Sequence, residues 1–397
     1  MKRSFSFVRG RDPLVIAFGT SFIAAMYGLV RLAYGLFLPD IQADLHLGAA
    51  GAGYIFSASS LLYCAAAATG FVLGHRMPRA LVVVAAVTAC GGVWGMAAAP
   101  GVAVFSVFAV LSSAGAGLAS PALVSIVARN VDPRRVDSAQ SMVNAGTGPG
   151  LVAAGVLALV LLPQWRVTWV LIGVLTAVCA LAVLTVDRRR TGPAQGQHLR
   201  PSKAWVARHT GAIAAAILMG AGSSAVWTYG RSLLVETGAS SQRGTITAWI
   251  VLGLGSAALL LTAKPLARLT PVAAWILTCS VMTGAIALLA IVPQVTVAAL
   301  VGCFAFGWGF TAATSSLILW TTAIDPAHAA AGTAMLFIAL MFGQAVGATA
   351  LGVIISGAHF APAFGVAAAL SAASIALAAY QRRRRGIPKS ETPVAVS

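Results

Sequence analysis

Residues 26–39 read MYGLVRLAYGLFLP and set one arginine, Arg31, inside an apolar run long enough to cross a bilayer. Insertion scales put an arginine at the centre of a membrane helix at roughly 2.5 to 3.5 kcal/mol, so such a residue is kept for function or escapes by snorkelling. The rest of the chain decides between the two.

The surrounding composition fixes the class. Of 397 residues, 59% are hydrophobic and only 9% charged, with a mean hydropathy of +0.90, which marks a membrane protein. The formal net charge of +17 does not indicate a nucleic-acid partner, because the 26 lysines and arginines sit in short loops and tails and form no continuous basic face. They read as topology signals and as contacts to anionic lipid on the cytoplasmic side. The five cysteines stand singly in apolar stretches, without a C-x-x-C pair or a histidine at ligand spacing. Neither a disulfide nor a metal site is indicated, and no cofactor is called for. The basic segment Lys2 to Arg11 leads into an apolar run without a small-x-small cleavage site, which predicts a retained first helix rather than a signal peptide.

Apolar runs of about 20 residues, the length of a hydrocarbon core, fall at 14–38, 50–73, 80–99, 101–128, 139–162, 167–186, 209–234, 244–262, 271–292, 295–323, 333–357 and 362–381. They predict twelve spans. With the N-terminus in the cytoplasm, 22 of the 26 basic residues collect on that side, and only Arg166 and Arg243 fall in outer loops. The positive-inside rule therefore predicts that both termini are cytoplasmic. The chain divides into an N-terminal segment (1–13), six spans (14–186), a cytoplasmic linker with DRRR and a Gly-Pro (187–208), six more spans (209–381) and a basic tail (382–397).

A shift of 193 residues superposes Gly51 on Gly244, Pro78 on Pro271, Gly91 on Gly284, Pro100 on Pro293, Asp132-Pro133 on Asp325-Pro326, Met142 on Met335 and Gly150 on Gly343. One offset that aligns span with span and turn with turn indicates duplicated six-helix units. Six is even, so both copies enter the membrane from the same side and the repeat is parallel. In such folds the solute site lies near the midplane between the halves, and one half rocks against the other.

Twelve spans, the 6+6 repeat and the charged central loop resemble the major facilitator superfamily over essentially the whole chain. The resemblance implies an all-α membrane protein with 12 transmembrane helices in two pseudo-symmetric six-helix bundles, in a bacterial cytoplasmic membrane and monomeric. The run RLAYGLFLP, Arg31 to Pro39, resembles the end of helix 1 in the YbfB/YjiJ-like and cyanate-permease-like branches. The family's loop between helices 2 and 3, G-x-L-x-D-R-x-G-R-[RK], corresponds here to Gly70, Val72, Gly74, His75, Met77, Pro78 and Arg79. The acidic residue that helps hold the outward-open state in the family is missing, so that cytoplasmic latch is weakened or replaced. Ala109 stands where an arginine is usual in helix 4. NAGTGPG at Asn144 to Gly150 keeps only the Gly148-Pro149 core of the proton-coupled antiporter motif, and close helix packing explains it equally.

On helix 1, Tyr27, Arg31, Tyr34 and Leu38 share a face, and Arg31 lies about two turns, roughly 10 Å, inside the outer end. That depth strains snorkelling and favours a cavity-facing arginine. The 193 shift carries this face onto Ser224, Trp227 and Arg231 of helix 7, with Tyr229 turned away. Arg231 is shallower, and an interface anchor or a salt bridge to Glu236 competes with a solute role. Trp308 stands near the middle of helix 10, while Trp94, Trp165, Trp169, Trp205, Trp249, Trp275 and Trp320 lie near span ends as an interfacial belt predicts. Asn144 and Gln344 read as buried amides that either line the pathway or bond between helices.

Asp40, Asp44 and Glu236 are placed outside or at the outer edge and the other carboxylates inside, leaving none within a span; the histidines are confined to loops or helix ends. Proton or cation coupling thus lacks its usual carrier. A cavity with arginine and no carboxylate has positive potential and favours a small organic anion as the solute. The competing reading is a proton-coupled exporter of lipophilic or drug-like compounds. Hydrolytic chemistry has no evident acid, base or metal site, which argues against an enzyme.

Overall fold

The computed structural model describes residues 12–187, 202–238 and 241–385. The segments read as N-terminus up to residue 11, most of the linker, and the tail beyond residue 385 lie outside the described residues. Twelve helices are long and apolar enough to cross a membrane: α1 (Asp12–Leu45), α2 (Ala49–Leu73), α3 (Pro78–Ala98), α4 (Val102–Asn130), α5 (Pro133–Leu161), α6 (Trp165–Val186), α7 (Lys203–Glu236), α8 (Gln242–Leu266), α9 (Pro271–Ile291), α10 (Thr296–Ile324), α11 (Pro326–Ala358) and α12 (Phe360–Gln381). A lipid core offers no partner to a free N–H or C=O, so the apolar runs become helices whose backbone bonds are internal.

The repeat is visible in the local geometry. Pro78 and Pro271 each open a helix at a first-turn position, where the missing N–H costs nothing. Asp132-Pro133 and Asp325-Pro326 each begin the single 3₁₀ turn that opens α5 and α11. Gly150 backs onto the carbonyl of Ala24, and Gly343 backs onto that of Ile217, the same contact displaced by 193 residues. Only a residue without Cβ allows that approach of α5 to α1 and of α11 to α7.

α1–α6 and α7–α12 pack mainly among themselves, and the halves meet where α2 lies along α11, α5 along α8, and the outer part of α1 along α7. The side of the bundle away from the N-terminus of α1 is called the outer side.

Three departures from the expected helices matter for the site. First, α1 continues through Pro39 to Leu45 instead of ending at residue 38. Pro39 has no N–H to give to the Gly35 carbonyl, and in the same turn the Leu36 carbonyl accepts a bond of 2.6 Å from Arg231 Nη1 of α7. Asp40 and Asp44 therefore stand on the helix rather than beyond it. Second, Ala24–Arg31 is a π-helical segment, closed at Arg31 by the bond from Leu32 N to Tyr27 O at 2.8 Å. Third, α5 breaks at Ala145–Gly146 between Asn144 and Thr147, where Pro149 has no N–H to give to the Ala145 carbonyl.

The tryptophans do not form the expected belt. Trp94 is 42% exposed, but Trp165, Trp169, Trp205, Trp249, Trp275 and Trp320 are buried. They pack within the protein, Trp169 on Phe37 and Trp275 on Trp320. Closeness to a span end did not distinguish lipid-facing from protein-facing rings.

Candidate functional site

Arg31 is 6% exposed and lies at the seam between the halves. Its Nη2 donates to Ser60 Oγ of α2 at 3.2 Å and to Gln344 Oε1 of α11 at 3.4 Å. The guanidinium carbon sits 4.3 Å from the centroid of the Tyr63 ring, a cation–π contact. Tyr63 and Tyr27 share a hydrogen bond between their hydroxyls at 2.9 Å. Gln344 Nε2 in turn donates to Ser223 Oγ of α7 at 3.4 Å. A polar chain therefore runs Tyr27, Tyr63, Arg31, Gln344, Ser223 from one half to the other, with one positive charge and, among the described residues, no carboxylate bonded to it.

The π segment explains why the chain reaches Ser223 and not Ser224. A π turn inserts one residue into a helix, whereas α7 is α-helical throughout. Beyond Arg31 the equivalence slips from 193 to 192, which pairs Arg31 with Ser223. Ser224 is fully buried and bonds the Ala221 carbonyl of its own helix.

Tyr34 belongs to the same neighbourhood: its hydroxyl donates to the Ala52 carbonyl at 3.1 Å. With Arg31, Ser59, Ser60, Ser112 and Ser113 it lines a cavity of about 20 Å³ between α1, α2 and α4, the size of one water.

The remaining candidates lie elsewhere. Trp227 is buried among Trp249, Phe306 and Phe310, a ring cluster that meets α1 at Gly35. Trp308 is not central: its Nε1 donates to Thr262 Oγ1 at 2.8 Å, inside the second half. Asn144 is exposed rather than a buried amide, because the break in α5 follows it directly. Gly148, one turn on along the same face, is buried against Ala257 of α8, while Pro149 is exposed.

Arg231 sits on the outer side of this centre. It is 2% exposed and pairs with Asp40 of α1 rather than with the exposed Glu236. It also bonds Thr245 Oγ1. Around it, Ser232 donates to Gln42 Oε1, and the Ala50 N–H donates to Ser356 Oγ. Tyr229, expected to face away, bridges the Ala49 and Ala348 carbonyls. These bonds seal the two halves on the outer side.

At the opposite ends of the helices, near the Gly70 to Arg79 loop that lacks the acidic residue, an aspartate gathers the basic side chains. Asp187, at the end of α6, is bonded by Arg79 of α3 at 3.0 Å, by both Nε and Nη2 of Arg129 of α4, and by Asn130. Gly70 and Gly74 allow α2 to approach Pro121 of α4 nearby, with His75 half-buried beside them. In the second half, Asp325 binds Trp205 Nε1 at 2.9 Å and His328 Nδ1 at 2.8 Å, with Arg208 at 3.7 Å. The hydrogen bond from His328 is the main reason its carboxyl is held below the usual carboxylate range. His209, which the sequence puts at the very end of a span, is fully buried inside α7 against Trp205 and Thr321.

Asp40, Ser60, Tyr63, Asp187, Ser223 and Tyr229 thus complete an arrangement that the sequence outlined only through Arg31, Tyr27, Tyr34 and Gln344. A Ser57, Ser60, Cys64 spacing on α2 was the available signal for that face.

Twelve spans in two repeated halves, meeting around a polar centre, define a membrane transporter. Residues 20–335 match the sequence profile of the Major Facilitator Superfamily, and the chain belongs to that family. No curated protein matches it. Solved structures with a similar fold include the nucleoside transporter NupG, at TM-score 0.75 and 13% identity over 96% of this chain and 100% of that one. A bacterial homolog of the human lysosomal transporter Spinster, inward-facing and occupied, gives TM-score 0.70 and 14% identity over 98% and 100%. The D-xylose-proton symporter gives 0.73 and 13% over 93% and 97%. At these identities the likeness is one of fold.

Proposed function

We propose that the protein moves a small organic anion across the membrane by alternating access of its two halves, as a secondary active or facilitative transporter. The observation that carries this reading is Arg31, a buried guanidinium at the seam whose partners Ser60, Gln344 and Tyr63 are all neutral. A buried charge without a counter-ion is costly, and an anionic solute is the group that relieves it. Tyr27, Tyr34 and Gln344 supply hydrogen-bonding groups around it, and Trp227 offers a ring wall on the second half. The RLAYGLFLP run supports a place near the YbfB/YjiJ-like and cyanate-permease-like branches. The Gly70 to Arg79 region and the Gly148-Pro149 pair act as gating elements, and a monomer in a bacterial cytoplasmic membrane with cytoplasmic termini fits the basic inner face. The exporter reading rests on Gly148-Pro149 and on a cavity wall rich in alanine and aromatics; the contact of Gly148 with Ala257 of α8 is one that close helix packing also explains.

The test is a thermal-shift screen of the purified protein against organic anions, cations and neutral sugars or nucleosides, since a bound ligand stabilises by RT ln(1 + [L]/Kd). Stabilisation by organic anions, absent in Arg31→Met, is the expected result. Stabilisation by cations or neutral solutes alone overturns the anion reading.

A further inference from the structure

Two features of the Arg31 site point to a ligand smaller than the solute. The guanidinium carries five N–H donors, and its bonds to Ser60 and Gln344 both use Nη2. Ser60 is fully buried and receives the Arg31 bond, while its own hydroxyl proton has no acceptor among the described hydrogen bonds. Both residues line the cavity of about 20 Å³, together with Ser59, Ser112 and Ser113. That volume holds one water-sized particle and is too small for a carboxylate with its carbon skeleton.

We propose that this cavity is a halide site, in which chloride serves as the counter-ion of Arg31 while the halves are closed and the organic solute is absent. The chemistry is that of a single-atom anion: unused guanidinium N–H donors on one side and the Ser60 hydroxyl on another. The remaining lining includes Val30, Phe56, Met96 and Ala109, which offers nothing to coordinate a metal cation, and the adjacent charge repels one. A water fits the volume and leaves the buried charge uncompensated, whereas a halide neutralises it. The site is built from the first half alone, so it persists when the halves move. It rests on the same arginine as the anion reading above: solute and halide compete for one charge.

The experiment is a thermal-shift titration of the purified full chain in which gluconate is replaced by chloride or bromide at constant ionic strength, so that general screening is unchanged. Wild type gains melting temperature saturably in the halides, Arg31→Met gains none, and Ser60→Ala needs roughly ten- to a hundredfold more halide, the worth of one hydrogen bond to a charged partner. Should Arg31→Met fail to fold, Arg31→Lys serves instead, keeping the charge and shifting the halide midpoint. Equal melting in chloride and gluconate for wild type overturns the site, as does a halide response that survives in Arg31→Met. An organic anion that stabilises equally with and without chloride sinks the halide site and leaves the anion transporter standing. Halide stabilisation with no response to any organic anion does the reverse. Competition, with the apparent solute Kd rising in proportion to chloride, supports both.

Discussion

Replacing Arg31 by methionine separates a solute-binding arginine from a structural one, because the two roles predict opposite changes in stability. In the ligand-free protein the guanidinium has two long bonds, at 3.2 and 3.4 Å, and one ring contact. Charged hydrogen bonds contribute about 1.5 to 3 kcal/mol at good geometry, and less when stretched. A desolvated cation–π contact adds about 2 kcal/mol. Against these stands the cost of removing an ion from water, several kcal/mol even after relaxation. The terms nearly cancel, so Arg31→Met should leave the melting temperature of the ligand-free protein within a few degrees of wild type, or raise it. Binding should respond very differently. A carboxylate about 4 Å from the guanidinium gains about 4 kcal/mol at an effective dielectric of 20, so losing the charge should weaken organic-anion affinity roughly a thousandfold. The assays are thermal unfolding without ligand and counterflow in proteoliposomes with whichever anion the screen identifies. A variant that melts far below wild type yet keeps saturable anion counterflow would refute the reasoning, because the charge would then be holding the fold rather than the solute.

Gln344→Leu removes the amide that competes with the solute for Arg31, so anion affinity should stay equal or tighten by up to about fivefold, one ordinary hydrogen bond's worth; a tenfold loss in a thermal-shift titration would instead make the amide a ligand. Asp187→Asn strips the carboxylate from Arg79 and Arg129 and should cost about 2 to 4 kcal/mol, with Arg129→Ala worse than Arg79→Ala because Arg129 is the more buried of the two, all read from thermal unfolding. Gly150→Ala and Gly343→Ala each push a methyl into a facing backbone and should cost about 1 to 3 kcal/mol, while Gly91→Ala and Gly284→Ala meet open space and should be tolerated; monodispersity on size exclusion ranks the four. Asp325 has a depressed carboxyl pKa, so its stabilising contribution is present above the unfolded value and lost as pH falls through the folded one. Wild type should therefore lose melting temperature more steeply than Asp325→Asn below about pH 4, and parallel pH profiles would remove Asp325 from the cluster at the N-terminal end of α7.

The sequence was legible where a signal is long and repeated. Twelve apolar runs outlast any single misjudged residue, and Pro78 with Pro271 or Gly150 with Gly343 mark the duplication because helix starts and close approaches need those residue types. What a linear reading missed is rotation and long-range pairing. An undivided α-helical register carried Arg31 to Ser224, and the π turn at Ala24–Arg31, which moves the match to Ser223, leaves no residue signature. Pro39 read as a helix end, and the bond that Arg231 gives in the same turn comes from another helix. Asp187 lies 108 residues from Arg79 and 58 from Arg129, and a single aspartate at a span end looks like any loop carboxylate. The tryptophans failed as belt markers because position along a helix says nothing about which face meets lipid.

The centre of the molecule is asymmetric in charge, and that asymmetry gives Gln344 a particular part. The first half supplies the cation, Arg31, while the second supplies an amide whose oxygen faces Arg31 and whose nitrogen faces Ser223. The amide fits the space between a cation and a hydroxyl oxygen. An anion arriving at Arg31 reverses the requirement: the amide oxygen then confronts negative charge, and its bond across the seam is lost. On the proposed function, an anion bound at Arg31 displaces this link between the halves and leaves the outer ones, Arg231 with Asp40, Tyr229 with the Ala49 and Ala348 carbonyls, and Ser57 with Ala345 and Thr349. If the anion is held by the first half, as proposed, while the amide belongs to the second, the exchange of one for the other at a single guanidinium would tie occupancy of the site to the grip between the halves, without a titrating carboxylate at the centre.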